Sequence, residues 1–324
     1  QPMSAWTSDD DHLLDRRTGE AIQEDLMRRW SLLLASLVVW IIVGYAFLRP
    51  GHVGAVVRKP GAPHATRIVS MAPNLTEILY ALGLGENVVA TTSDSDYPPQ
   101  AASKPSVGSF WLPDIEAVIG GRPDLIVTLD IPQQRSLTSR LKRMGYPCLA
   151  VSIWTVDELF RAVETIGQAT ERQAQAQTLV CGIRTDIERL ARALTERDRP
   201  RVLWVVQREP LRVAGRNTFI NELIELAGGQ NAIGPTLHKY PPVGAEQVIA
   251  ANVEVIVEPA MSGGNLAEQH RQALAYWGRL PHVPAVAHGR IYVIDPDTVS
   301  RLSPRLYQGI ESIAACLWPD DAGG

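Results

Sequence analysis

Thr170-Glu-Arg-Gln-Ala-Gln-Ala-Gln-Thr-Leu-Val-Cys-Gly-Ile-Arg-Thr-Asp-Ile-Glu-Arg-Leu-Ala-Arg-Ala-Leu-Thr-Glu-Arg-Asp198 is the stretch on which the reading of the chain turns. Ala176, Leu179, Val180, Ile183, Ile187, Leu190 and Leu194 recur in it at steps of three and four. That is the stripe of an amphipathic helix, about seven turns long and ended by Pro200. A shorter helix leads into it. Thr155 and Glu158 have the spacing of a capping box, and Leu159, Phe160, Val163 and Ile166 form its apolar face. A helical connector over residues 155–199 therefore separates two α/β halves. A crossover helix within one sheet has the same signature, but the length of this one, and the repeat on either side of it, favour a strut between two lobes.

The repeat is visible by eye. Glu116-Ala-Val-Ile-Gly-Gly-Arg-Pro-Asp-Leu-Ile-Val127 aligns without gaps on Glu246-Gln-Val-Ile-Ala-Ala-Asn-Val-Glu-Val-Ile-Val257. Each reads as a short helix, a tight turn and a buried strand with an apolar run. Glu77-Ile-Leu-Tyr-Ala-Leu-Gly matches Glu222-Leu-Ile-Glu-Leu-Ala-Gly, each a helix stopped by glycine. Tyr97-Pro-Pro has a counterpart in Tyr240-Pro-Pro. Two halves of one layout place a ligand most naturally in the crevice between them.

On either side of the connector the elements alternate in α/β fashion. In the first lobe (66–154), strands are expected at 67–71, 87–92, 124–129 and 147–152, with helices at 75–82, capped by Asn74, and at 134–144. In the second (200–320), strands are expected at 202–206, 253–257 and 290–294. Helices are expected there at 218–226, 245–250, 267–277 and from Pro304 to about Leu317. The chain of 324 residues suffices for two such lobes. A net charge of −4 with mixed signs excludes the basic face of a nucleic-acid binder. Cys148, Cys181 and Cys316 form no CxxC pair, and Cys148 and Cys181 read as buried free thiols.

The N-terminal part has a different composition. Residues 30–48 are 19 residues without a charge, about 28 Å of helix, enough to cross a bilayer core. Trp30 and Tyr45 sit near its ends, where interfacial aromatics lie. A secretory signal is the rival reading, but its apolar region is shorter, no small-x-small cleavage site follows Gly44, and no cysteine follows for lipidation. An uncleaved signal anchor is expected, with residues 1–29 a cytoplasmic tail and 49–65 a Pro- and Gly-rich tether. Arg28 and Arg29 on one side are balanced by Arg49, Arg58 and Lys59 on the other, so charge alone leaves the orientation open. The folded part after the span is expected outside the cytoplasm.

Arg67-Ile-Val-Ser-Met-Ala-Pro-Asn-Leu-Thr-Glu77, Ser95-Asp-Tyr-Pro-Pro-Gln-Ala101, the 116–127 segment and Ser303-Pro-Arg305 occur in this order. Together they resemble the iron-siderophore and cobalamin class of extracytoplasmic substrate-binding proteins of ABC importers, the helical-backbone class III, and most of all its cobalamin-binding branch. The resemblance covers residues 66–318. It implies two α/β lobes joined by one long helix, no catalysis, and a metal-chelate ligand: cobalamin, heme or a ferric siderophore. It further implies that Glu116 and Glu246 dock onto arginines of an importer permease, two charge-assisted contacts that fix orientation. A glutamate at a helix N-terminus is also simply favoured by the dipole. Phe110 and Tyr240, with Trp111 beside them, align with cleft aromatics, and Asp297 and Arg301 with a polar pair. Asp94, Leu129 and Arg212 replace aromatics of the cobalamin branch, which keeps heme and ferric chelates open.

Other chemistries find little support. His64, His238, His270, His282 and His288 are scattered with no HxH or HxxxH pair, so no metal site is expected; His238 or Tyr240 could serve only as an axial ligand to a chelated metal. No GxSxG, P-loop, GxGxxG or HExxH motif occurs. An enzyme using Glu116 and Glu246 as an acid/base pair is disfavoured because the repeat puts them on separate lobes. A membrane-anchored sensor is disfavoured because 29 residues before the span hold no folded signalling domain.

Overall fold

The computed structural model describes residues 65–261 and 265–319. The first lobe runs β1 (Ile68–Ser70), α1 (Pro73–Ala81), β2 (Val88–Ala90), α2 (Ile115–Gly120), β3 (Leu125–Leu129), α3 (Pro132–Arg143) and β4 (Cys148–Val151). Its four strands are all parallel, in the order β2-β1-β3-β4. Then come α4 (Val156–Ala169) and α5 (Gln173–Ala193). The second lobe follows as β5 (Arg201–Arg208), β6 (Leu211–Val213), α6 (Phe219–Leu226), β7 (Gln230–Asn231), α7 (Ala245–Ala250), β8 (Val255–Pro259), α8 (Leu266–Trp277), α9 (Pro284–Ala287), β9 (Ile291–Ile294) and α10 (Leu306–Leu317). Parallel β7, β5, β8 and β9 reproduce the order of the first sheet, and antiparallel β6 is added beside β5.

The repeat read from the sequence is carried into backbone detail. Arg122 (φ 47°) and Asn252 (φ 48°) both take left-handed backbone at equivalent places between helix and strand. The Arg67 guanidinium donates to the carbonyl of Gly121, and that of Arg201 to the carbonyl of Ala251, each at 2.7 Å. The Asp124 carboxylate accepts from the Arg67 N–H, and Glu254 accepts from that of Arg201. Each lobe thus ties the end of its short helix to the start of its first strand by the same arginine-and-carboxylate clasp.

Successive strand residues point to opposite faces, and the core divides accordingly. Ile126 of β3 packs outward with Val118 and Leu141; Ile256 of β8 packs outward with Val248 and Trp277. Their neighbours Leu125, Val127, Val255 and Val257 face inward, into one cluster that continues through Phe160 and Val163 of α4, Val180 and Ile183 of α5, Trp204 of β5 and Ile310 of α10. A single apolar interior therefore runs from one sheet to the other by way of the connecting helices.

The connector comprises the shorter and the longer helix that the sequence leads one to expect, packed against each other as a hairpin. Thr170 caps the end of α4, left-handed backbone at Glu171 (φ 59°) turns the chain, and α5 doubles back as a helix of 21 residues, about six turns. It ends at Ala193, before the expected stop at Pro200. Ala176, Val180 and Ile183 are buried as the stripe predicts, with Leu179, Ile187 and Leu190 partly so. The two helices close on Gly167, where an added Cβ would stand 2.6 Å from that of Ala176 and 3.1 Å from the Arg172 carbonyl. Gly167→Val is expected to lower stability by about 1–3 kcal/mol through overpacking. A thermal midpoint unchanged within about 1 °C would contradict so tight a crossing.

Other boundaries moved for local reasons. Asn74 is not the cap of α1: Ala72 takes that place, Pro73 starts the helix, and the Asn74 amide donates across the lobes to the Leu302 carbonyl at 3.3 Å. The last helix begins at Leu306, with Arg305 as its capping residue and the Arg305 N–H donating to the Ser303 hydroxyl at 3.2 Å. Cys181 is exposed, on the side of α5 away from the stripe, whereas Cys148 and Cys316 are buried. Burial pushes those two thiols up to about 11 and about 12, which keeps them protonated and inert. The tail 1–29, the span 30–48 and the tether up to residue 64 lie outside the described residues. Among the described residues no helix is long and apolar enough to cross a membrane.

Candidate functional site

In a parallel sheet the C-terminal strand ends open onto loops, and ligands gather there. In this fold the two sets of loops face one another across a cavity of about 420 Å³. The first lobe lines it with Pro73 and Asn74 at the start of α1, Asp94 after β2, Phe110 and Trp111, Leu129, Ile131 and Gln133 around the end of β3, and Ile153 and Trp154 after β4. The second contributes Thr218 and Phe219 at the start of α6, Lys239 and Tyr240, and Ser300, Arg301 and Leu302 after β9. The wall is mainly apolar and aromatic with a few polar groups, the make-up of a small-molecule site.

The aromatic groups are held from behind. The Phe110 N–H donates to the Asp94 carboxylate at 2.5 Å, and Phe110 meets Trp111 edge to face with centroids 4.8 Å apart. Phe110 packs against the interior, while Trp111 is 63% exposed. Tyr240 is 37% exposed, and Arg212 fixes its backbone by donating to its carbonyl at 3.2 Å. Burial raises the Tyr240 phenol above its ordinary value, so at neutral pH it remains a hydrogen-bond donor. Across the mouth the Lys239 ammonium sits 4.5 Å from the centre of the Trp154 ring.

One edge of the cavity is an ion network that joins the lobes. Glu77 of α1, buried with its side chain 2% exposed, takes a bidentate pair from Arg305 at 2.8 and 2.9 Å. Arg301 brings Nε to 3.3 Å from Glu77 Oε1 and donates to Asp96 at 3.0 Å. The Arg305 guanidinium also lies 3.9 Å from the centre of the Tyr97 ring. Its hydrogen bond to Glu77 raises its pKa further. The equivalent glutamate of the second lobe, Glu222, accepts from the N–H of Val156, the first residue of α4, at 2.8 Å. Burial raises the pKa of Glu222, and Asp157, Glu158 and Glu225 add to the rise.

Of the expected ligand residues, Phe110, Trp111, Tyr240 and Arg301 line the cavity together. Asp297 does not: it is exposed, its N–H turns back to the Asp295 carboxylate, and its carbonyl faces Arg305. Asp94 and Leu129 are in the wall; Arg212 acts behind Tyr240. Glu116 and Glu246 are exposed in the first turns of α2 and α7. Trp154, Lys239, Phe219 and Gln133 were not foreseen. They sit on loops or helix starts whose meeting depends on the tertiary fold, and the aromatic residues among them carry the one sequence signal available. Among the described residues no three His, Cys, Asp or Glu side chains gather to hold a bare metal ion.

Similarity to known proteins follows the same outline. An ABC transporter substrate-binding lipoprotein of Bacillus subtilis (strain 168) is 30% identical over 261 residues, 78% of this chain and 80% of that protein. A vitamin B12-binding protein of Vibrio parahaemolyticus is 27% identical over 247 residues, 75% and 86% of the two chains. The crystal structure of a periplasmic heme-binding protein from Pseudomonas aeruginosa superposes with a TM-score of 0.68 at 25% identity, covering 79% of this chain and 93% of that one. The resemblance to the iron-siderophore and cobalamin class thus extends over both lobes. With residues 68–298 matched by the family model described as periplasmic binding protein, this chain belongs to that family.

Proposed function

We propose that this chain is an extracytoplasmic receptor of an ABC importer, which captures a large metal chelate between its two lobes and delivers it to the permease. Cobalamin is the favoured ligand. The observation that carries the reading is the cavity between the sheet ends, walled from both sides by Phe110, Trp154, Phe219 and Tyr240. Flat aromatic faces suit a rigid macrocycle, and a few polar groups suffice to orient it. A relative named for vitamin B12 binding supports the same choice. Heme or a ferric siderophore is the second reading: Leu129 and Asp94 stand in the wall in place of aromatics, and a protein of the same fold is named for heme.

The remaining parts of the proposal fit this role. Residues 30–48, long enough to span a bilayer, suit a tether that keeps the receptor at the cytoplasmic membrane with its lobes outside. Glu116 and Glu246 supply matched acidic points for the permease. No catalytic step is assigned to the cavity. Titration with cobalamin, cobinamide, heme and ferric siderophores, read by tryptophan quenching, should give saturable binding of at least one. Phe110→Ala and Tyr240→Ala should each weaken it about tenfold or more, as expected for loss of a stacked ring. Chemical turnover of the ligand, or no saturable binding by any of the four, would overturn the receptor reading.

A further inference from the structure

Among the described residues three charged side chains line the cavity, and two of them already have polar partners in the protein. Arg301 faces Glu77 and Asp96, and with Arg305 the group is balanced at two acids and two bases. Asp94 accepts the Phe110 N–H. Lys239 differs: among the described residues no carboxylate pairs with its ammonium, which rests on the ring of Trp154 at 4.5 Å. Trp154 follows β4 of the first lobe, and Lys239 precedes α7 of the second, so the contact bridges the mouth of the cavity. An ammonium on an indole that is 48% exposed is a weak contact, easily exchanged. Against a carboxylate or phosphate sheltered by apolar walls it forms a shorter and stronger charge-assisted bond.

We propose that Lys239 is the residue by which this cavity selects anionic ligands. Its ammonium, seated here on Trp154, transfers to an anionic side group of the chelate and leaves the indole face to the macrocycle. The walls explain why one residue decides. Leu129, Ile131, Ile153 and Leu302 accept the body of the ligand without discrimination by charge, and Arg301 is held by its acids. Macrocycles bearing a carboxylate or a phosphodiester are therefore preferred over otherwise similar ones that lack it. The inference rests on the receptor reading above.

The test compares matched pairs of ligands: iron protoporphyrin with its dimethyl ester, and cobalamin, which carries a phosphodiester, with cobinamide, which lacks it. Wild type, Lys239→Met and Lys239→Arg are titrated with all four. Methionine keeps an unbranched stem beside Trp154, and an unchanged thermal midpoint verifies folding. Lys239→Met should lose about tenfold in affinity for the charged member of one pair, about 1.4 kcal/mol, and change within about twofold for its partner; Lys239→Arg should restore the difference. A loss confined to the porphyrin pair identifies a carboxylate, and one confined to the corrinoid pair a phosphodiester. Equal losses within each pair, or none, overturn the role of Lys239 and leave the receptor reading standing. If wild type binds none of the four, this inference falls, and the receptor reading falls with it when ferric siderophores fail to bind as well.

Discussion

Arg305→Ala is expected to lower stability by about 3–5 kcal/mol, because it leaves the carboxylate of Glu77 buried without its bidentate partner. Surface screening offers little relief, since the two side chains are only 10% and 2% exposed. For a protein of this size the thermal midpoint should fall by on the order of 10 °C. Arg301 cannot substitute: its Nε lies 3.3 Å from Glu77 without hydrogen-bond alignment, and its other end is committed to Asp96. Arg305→Lys keeps the charge but loses the fork, so an intermediate loss is expected. Removing both charges as Glu77→Met with Arg305→Met should recover much of the loss, as replacement of a buried pair by apolar groups commonly does. A fall of less than about 2 °C for Arg305→Ala would show that the network is not under the constraint its geometry implies.

The location of this pair gives it a meaning beyond stability. Glu77 lies on the first helix of its lobe and Glu222 on the first helix of the other, at matching places in the repeat. Glu77 holds Arg305, the capping residue of α10; Glu222 holds the first N–H of α4. Both of those helices follow the last strand of their own lobe. Each lobe therefore grips the other's final helix by its N-terminus, once through a guanidinium and once through a bare N–H favoured by the helix dipole.

Glu77 and Glu222 were legible in the sequence as a matched pair, because each opens a similar apolar helical segment that a glycine stops. Their partners were not. Arg305 is separated from Glu77 by nearly the whole folded chain, and no periodic signal links residues that meet only in tertiary structure. The same holds for Trp154 and Lys239. Local signals failed where an element is too short for periodicity, as in β6 and β7, or where a turn uses an unmarked residue. Glu171 takes left-handed backbone without being Gly or Asn, so the reversal of direction between α4 and α5 left no trace, although the two helices themselves were legible as separate. Asp297 aligned with a ligand residue, but the local turn onto Asp295 carries it out of the cavity wall.

Reversing both acidic points, Glu116→Arg with Glu246→Arg, is expected to reduce importer-dependent uptake by about a hundredfold or more, while the affinity for the ligand changes within about twofold. The topology explains why the two positions belong together. Helices that connect parallel strands run opposite to them, so the first turns of α2 and α7 lie at the strand ends where the cavity opens. Glu116 and Glu246 occupy those turns, one per lobe, on either side of the mouth. Two acids so placed can orient the receptor with its cavity toward the membrane, and charge pairs desolvated at an interface are each worth about 2–5 kcal/mol when one partner is lost. A single reversal should therefore cost about tenfold or more, and the effect should weaken as salt is raised if the contacts also steer encounter. A solvated acid at a helix start predicts something else: a loss of a few tenths of a kcal/mol in stability and no change in uptake. If Glu116→Gln and Glu246→Gln, singly and together, leave uptake intact at equal protein levels, the docking role is refuted and the pair is only a relic of the repeat.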